Sequence, residues 1–223
     1  MRRFKITDLA YGIIFTLLFI SIAVVITVNF RPLYYMDIKL LDIEASSGLD
    51  ELTIRENYDA LIDYSSPFFR GELRFPSLDA SESGLQHFAE VKDIFTGFYI
   101  IALISLIAGI AIIICKSRNR DYSYLLVSAI MAIVLPLLLA LFIAIDFDTA
   151  FVIFHKIFFR NDYWLFDPVT DPVITILPAE FFMHCAIMII LIIVLFSLLF
   201  ILFYFRARKH SGIKYRKIKG LNL

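Results

Sequence analysis

The chain alternates between long apolar stretches and shorter polar ones. Four stretches reach the length of about 20 residues that a helix needs to cross the hydrocarbon core of a bilayer. They cover residues 9–30, 96–115, 122–145 and 181–205. The pattern therefore predicts an all-α integral membrane protein, a single membrane domain over residues 1–223 with four transmembrane helices.

Composition supports this prediction. Hydrophobic residues make up 60% of the chain, and 23 residues are Phe, whereas apolar residues are about half of a soluble domain. Basic residues precede the first apolar stretch, as in a signal peptide. Because that stretch is longer than the core of a signal peptide, about 7–15 residues, we expect it to remain as a signal anchor.

Charge predicts the orientation. The N-terminal residues, the loop 116–120 and the tail 206–223 hold 13 of the 21 Lys and Arg residues. Because basic loops stay cytoplasmic, both termini of this multi-pass cell-membrane protein are expected in the cytoplasm. Residues 31–95 and 146–180 then form two outer loops, an extracytoplasmic cap with 19 of the 21 acidic residues. The basic tail suits anionic membrane lipids, and nucleic acid is not an expected partner.

The outer loops contain signals for three helices. One is expected to start at Ser47 as its N-cap. A second is expected to start with an S-x-x-Q capping box at Ser83 and to run into the second span. A third, capped by Asp148, has Phe at positions 151, 154 and 158 on one face, so we expect it to lie along the membrane interface.

Histidines are the sharpest candidates for chemistry. Of the four, His87, His155 and His184 map to the outer leaflet, whereas His210 lies in the basic tail and is expected to be solvated. A single histidine on an apolar stripe is usually a packed residue with one hydrogen bond. Two or three at a similar depth can converge on one site. His184, inside the last span, is better suited to bond a neighbouring helix.

Polar residues crowd the segment that follows His155. The candidates for binding or orienting a substrate are Asn161, Asp162, Trp164, Asp171, Glu180 and Tyr58. One carboxylate is expected to hold the second ring nitrogen of His155, as an orienting acid does for a general base. Asp162 and Asp171 are equal candidates, although each acid also suits a turn or a helix cap.

Motifs of other chemistries are missing from the sequence. It contains no H-E-x-x-H or C-x-x-C spacing for a metal, no G-x-S-x-G for a serine nucleophile and no glycine loop for phosphate. We therefore expect no metal and no cofactor. A metal-dependent hydrolase remains a lesser alternative, which chelation would test.

Residues 154–182, "FHKIFFRNDYWLFDPVTDPVITILPAEFF", together with residues 56–64 and 87–95, resemble the lipoprotein intramolecular transacylase family of Gram-positive bacteria. The resemblance covers nearly the whole chain in span number, span order and loop lengths. It implies an acyltransferase that moves one glyceryl ester acyl chain of a diacylglyceryl lipoprotein to the α-amine of its lipidated N-terminal cysteine, which gives the lyso form. It also implies that His87 and His155 are the catalytic pair, at the extracytoplasmic face.

Elementary chemistry is consistent with this reaction. An α-amine, with a pKa of about 7.7–8.0, is mostly protonated at pH 7, and a neutral imidazole is a suitable base. His155 is the preferred base and His87 the group that orients the substrate or the oxyanion, but reversed roles and a transiently acylated histidine stay open. The alternative class is a non-enzymatic membrane sensor or assembly protein in which both histidines only pack. The oligomeric state is not predicted.

Overall fold

The computed structural model describes residues 5–220, without the side chains of residues 135, 139, 140, 142–144 and 210–220. Within this part of the chain every regular element is helical. The α-helices are α1 Ile6–Asn29, α2 Arg31–Leu40, α3 Ile43–Ser47, α4 Glu51–Ser65, α5 Glu82–Arg118, α6 Ser123–Ile145, α7 Phe147–Phe158 and α8 Ala179–Gly220. A 3₁₀ helix, Pro172–Ile176, precedes α8. The predicted all-α class is confirmed.

Three helices of the described chain are long and apolar enough to cross a membrane. They are Ile6–Asn29, Glu82–Arg118 and Ala179–Lys209. The predicted span at residues 122–145 coincides with α6, of which Ser123–Leu138 is a shorter apolar helix. The basic residues 2 and 3 and the side chain of His210 lie outside the described residues, so their expected cytoplasmic position stays a prediction.

Two predicted N-caps of the outer loops are wrong by two or three residues. Asp50 caps α4, since its carboxylate accepts the backbone N–H of Thr53 at 2.9 Å, whereas Ser47 is the last residue of α3. Asp146 rather than Asp148 caps α7. In both cases several polar residues stand in a row, and the one that caps is the one whose oxygen reaches the free N–H groups of the first turn.

The start of α5 is fixed by Ser81 and Asp171. The Ser81 hydroxyl accepts the Gly84 N–H at 3.0 Å, so the helix begins two residues before the predicted box at Ser83. The Asp171 carboxylate accepts the Ser81 N–H at 2.8 Å. It lies so close to Gly84 that a Cβ there would stand 2.2 Å from its oxygen. As predicted, α5 continues without a break into the apolar residues 96–115.

The chain divides into two compact units. The first comprises Met1–Ala23, Ile101–Leu139 and Ile190–Leu223, and the second comprises Val24–Ile100 and Ala140–Ile189. Both predicted catalytic histidines belong to the second unit, whose fold therefore sets their geometry.

In the first unit, buried charges join the ends of α1, α5 and α6. The Lys116 Nζ lies 3.4 Å from Asp8 and 3.2 Å from Asp121. The Ser123 hydroxyl donates to the same two carboxylates. Burial acts to raise the pKa of Asp121, but hydrogen bonds from Ser123 and Lys116 outweigh it and lower the pKa to about 2. The carboxylate therefore stays ionised and keeps the helix ends together.

In the second unit, short helices pack around an aromatic core. The Tyr34 ring of α2 stacks on the Tyr58 ring of α4 with centroids 3.7 Å apart, and Phe181 of α8 meets Tyr34 edge-on. The Tyr34 hydroxyl donates to the Ile176 carbonyl of the 3₁₀ helix at 2.6 Å. This bond satisfies a polar group that would otherwise be costly to bury. The core thereby fixes the segment that leads into α8.

Candidate active site

His87 and His155 lie side by side. Their ring centroids are 5.9 Å apart, and the two residues are only 5% and 8% exposed. His87 comes from the second turn of α5, and His155 from the last turn of α7. The structure therefore brings together the two predicted histidines on separate helices, at a distance that a small reacting group can bridge.

The amphipathic character of α7 explains the burial of His155. The helix exposes its apolar residues Phe154, Ile157 and Phe158 by 46%, 70% and 50%, whereas Ala150 and His155 are buried. The imidazole thus faces the protein rather than the apolar surface.

Six rings of the described residues contact the pair, and we call four of them the aromatic enclosure: those of Phe151, Phe159, Trp164 and Phe166. The other two belong to Phe88 and Phe154. The Trp164 ring stacks on His155 with centroids 4.7 Å apart, and the Phe159 ring lies 4.6 Å from His87. Phe166 meets His87 edge-on at 5.5 Å. These apolar walls keep water from the imidazoles, which strengthens electrostatic interactions between them and a bound group.

A backbone carbonyl fixes the proton on His155. Its Nδ1 lies 2.8 Å from the Phe151 carbonyl oxygen. A carbonyl only accepts, so Nδ1 carries the hydrogen and Nε2 is left with a free lone pair. Burial lowers the pKa of His155 below its ordinary 6.5, with the hydrogen bond to Phe151 opposing the shift. At pH 7 the ring is therefore neutral and able to accept a proton at Nε2.

The prediction that Asp162 or Asp171 orients His155 is wrong. Asp171 serves the start of α5, where its carboxylate accepts from Ser81 and from the Thr170 hydroxyl. Asp162 is exposed, and among the described residues no carboxylate is hydrogen-bonded to either histidine of the pair. The Phe151 carbonyl orients His155 instead, because it lies one helical turn before the imidazole.

His87 has an unused polar atom. Its Nδ1 is fully buried and has no hydrogen-bond partner among the described residues. The same holds for the indole Nε1 of Trp164. An unpaired buried polar atom is costly unless something satisfies it. Both atoms belong to side chains that pack at the histidine pair.

Asn161 joins the site to a residue that the sequence analysis missed. Its amide donates to both oxygens of Glu90, at 2.9 and 3.2 Å. Glu90 lies three residues after His87 on α5, a spacing that places two side chains on neighbouring parts of one helix face. The spacing is visible in the sequence, whereas the long-range contact with Asn161 is visible only in the structure.

The remaining candidates lie elsewhere. Tyr58 is buried in the core of the second unit against Tyr34, and Glu180 is exposed in the first turn of α8. The His184 Nδ1 lies 2.9 Å from the Asp37 carboxylate of α2, which confirms the prediction that it bonds a neighbouring helix. Among the described residues no group of three or more His, Cys, Asp or Glu is arranged to hold a metal ion.

The long apolar helices are those of a membrane-integral protein. Two buried imidazoles inside the aromatic enclosure equip it for proton transfer. A family model described as lipoprotein intramolecular transacylase Lit matches residues 9–182. The chain therefore belongs to the lipoprotein intramolecular transacylase family. The predicted resemblance, the enzyme class of acyltransferase acting within lipoproteins, and the place in a cell membrane are confirmed.

Solved structures agree with this assignment. The chain is similar to the membrane-integral lipoprotein intramolecular transacylase Lit from Bacillus cereus, with a TM-score of 0.90 and 36% identity over 92% of this chain and 96% of that one. Structures of the same bacterial protein with one histidine changed to arginine or to alanine match with TM-scores of 0.86 and 0.85, each at 35% identity. They cover 93% and 92% of this chain, and 92% and 94% of theirs. A search among curated protein sequences gives no match.

Proposed function

We propose that this chain converts a diacylglyceryl lipoprotein into its lyso form, by moving one glyceryl ester acyl chain to the α-amine of the lipidated N-terminal cysteine. The observation that carries the proposal is the tautomer of His155. Its Nδ1 donates to the Phe151 carbonyl, which leaves Nε2 as a free base. The centroid of its ring lies 5.9 Å from that of a second buried histidine, His87.

His155 is the base in this mechanism. Its Nε2 takes a proton from the α-ammonium, and the nitrogen lone pair attacks the ester carbonyl carbon. Donor and acceptor belong to one molecule and close a ring of about eight atoms, so a held headgroup reacts with high effective molarity. The tetrahedral oxyanion collapses, the C–O bond to glycerol breaks and the C–N bond becomes the amide. Of the two protons that the nitrogen loses, one passes through His155 to the leaving glyceryl oxygen and the other is released to solvent.

His87 is the second catalytic group. Its ring lies beside His155, and its buried Nδ1 has no partner among the described residues. When that ring carries its hydrogen toward the reacting centre, it donates to the oxyanion. Trp164 orients the pair by stacking on His155, and the Asn161 amide holds the Glu90 carboxylate. The reaction needs neither a metal nor a cofactor to balance its atoms and electrons.

The same proposal includes a topology. We place α6 across the membrane as a fourth span, both termini in the cytoplasm and the site at the extracytoplasmic face, with residues 31–95 and 146–180 as the cap of one membrane domain. The outward apolar residues of α7 support contact with lipid, since Ile157 is 70% exposed. A side chain of this kind is stable at the boundary of headgroups and acyl chains.

Mass spectrometry of a reporter lipoprotein tests the function. Cells that lack N-acylation activity would express the wild-type chain, His87→Ala, His155→Ala or, as a matched control, His184→Ala, at equal membrane levels. We expect the wild type and the control to place one acyl chain on the amine without a change in total mass. The His87 and His155 variants should leave the amine free. A wild type that leaves the lipopeptide unchanged would overturn the proposal.

A further inference from the structure

Glu90 is a half-buried carboxylate that only neutral groups hold. The Asn161 amide donates to both of its oxygens, and the Gln86 amide lies 3.5 Å from one of them. Asn161 is itself fixed, since its Oδ1 accepts the Tyr163 N–H at 3.1 Å. This bond decides which end of the amide faces Glu90. The carboxylate is thus positioned by a preorganised donor, yet its negative charge is not neutralised.

Cations near Glu90 are used elsewhere. The Lys92 Nζ, two residues away, donates to the Phe69 carbonyl at 3.0 Å and lies over the Tyr64 ring at 4.3 Å. Within the described part of the chain no Lys or Arg forms an ion pair with Glu90. By contrast, half-buried Asp59 in the same unit has Arg31 at 3.1 Å. A partly buried charge without a counter-ion attracts a cation from outside the chain.

Two connections attach Glu90 to the histidine pair. Along α5 it follows His87 by three residues, on a neighbouring part of the helix face. Across the fold, its partner Asn161 precedes Trp164 by three residues, and Trp164 stacks on His155 at 4.7 Å. The charge therefore lies within one helical turn of His87 and is joined through Asn161 to the segment that carries Trp164.

We propose that Glu90 binds the α-ammonium of the lipidated cysteine and holds it beside the histidines until it is deprotonated. This inference rests on the proposed function and adds the group that recognises the acceptor end of the substrate. An ammonium donates strong hydrogen bonds to a carboxylate, and an α-amine is mostly protonated at pH 7. Glu90 keeps its negative charge, His155 receives the proton, and the free amine then attacks the ester.

Binding of two unreactive lipopeptides tests the inference. Both would carry ether-linked chains, which cannot be transferred, one with a free α-amine and the other with an α-hydroxyl in its place. We expect the wild type in detergent micelles at pH 7 to bind the amine at least about tenfold more tightly, the size of one modest charge interaction. Glu90→Gln, which keeps the shape and loses the charge, should bind both equally. The control Glu82→Gln, exposed on the same helix, should keep the preference.

The outcomes separate the two proposals. A wild type that binds both ligands equally overturns the role of Glu90 without any variant, so a poorly folded Glu90→Gln does not leave the question open. A Glu90→Gln chain that keeps the preference overturns it as well. If the reporter lipoprotein is N-acylated while either of these results holds, the proposed function stands and only the ammonium site fails.

Discussion

His155 and His184 are both imidazoles on apolar helices of the same unit, yet their Nδ1 atoms have different partners. His184 is bound to Asp37, a carboxylate only 2% exposed, which links α8 to α2. His155 is bound to a neutral carbonyl of its own helix. The Asp37 carboxylate ties the His184 ring to another helix, whereas the Phe151 carbonyl sets the tautomer of His155 within its own helix. His155 also has a second buried imidazole beside it, and this neighbour marks it as the candidate base.

Replacing each histidine by glutamine should give the largest difference between the two, in the rate of acyl transfer. His155→Gln removes the proposed base, and general bases contribute about 10²–10⁴-fold to a rate. We expect a loss of that size in single-turnover transfer on a synthetic diacylglyceryl lipopeptide. His184→Gln should keep the rate within about threefold, since its ring has no part in the reaction. Equal losses in the two variants would remove the distinction.

The two variants should differ in the opposite direction in stability, with His184→Gln the more destabilised. His184→Gln leaves the buried Asp37 without its present donor, at a cost of about 1–3 kcal/mol for an unsatisfied buried group. We expect a clearly lower apparent Tm in detergent than for His155→Gln, whose lost bond to Phe151 leaves only a helical carbonyl that keeps its main-chain partner. Thermal unfolding followed by circular dichroism measures both. A larger destabilisation by His155→Gln would contradict the assignment.

Trp164 sharpens the comparison, because it stacks on His155. An aromatic pair is worth about 0.5–1.5 kcal/mol beyond its buried area. Trp164→Ala should therefore slow transfer by up to about tenfold, whereas Trp164→Phe, which retains a ring, should stay closer to the wild type. The same lipopeptide assay measures this, and a Trp164→Phe variant slower than Trp164→Ala would point to the indole N–H instead.

The smallest effect is the titration of His155 itself. Because burial lowers its pKa below 6.5, more than half of the rings should still be neutral when the pH has fallen to 6.5. Protonation, and with it loss of the base, should occur only at lower pH. NMR of ring-labelled histidine in micelles, with His155→Gln for assignment, gives the midpoint. A midpoint at or above 6.5 would contradict the neutral-base interpretation.

Local patterns predict much of this fold and little of its site. Apolar length alone identifies the long helices, because each stretch has few alternatives in a bilayer. Helix starts are less certain: Ser47 and Asp50, or Asp146 and Asp148, are chemically equivalent caps until packing selects one. The contact between Glu90 and Asn161 joins segments 71 residues apart. No periodicity encodes such a contact.

The family resemblance, rather than any local pattern, singles out His87 and His155 as a pair. The sequence suggests a carboxylate as the orienting group, whereas the structure has a main-chain carbonyl. A sequence identifies the carboxylates near His155 by residue type, whereas every residue has a main-chain carbonyl. Only coordinates distinguish the Phe151 oxygen from its neighbours.

Because the acceptor is a main-chain oxygen, the orientation of the His155 imidazole is insensitive to point mutation of its hydrogen-bond partner. No substitution at position 151 removes the main-chain oxygen. Substituting Phe151 would therefore measure only what its ring contributes to activity. The orientation of His155 is inherited with the helical winding of α7 and not with any one neighbouring side chain. Proline in the middle of α7 would disrupt it, whereas substitution of the surrounding side chains would leave the free nitrogen of the base in place.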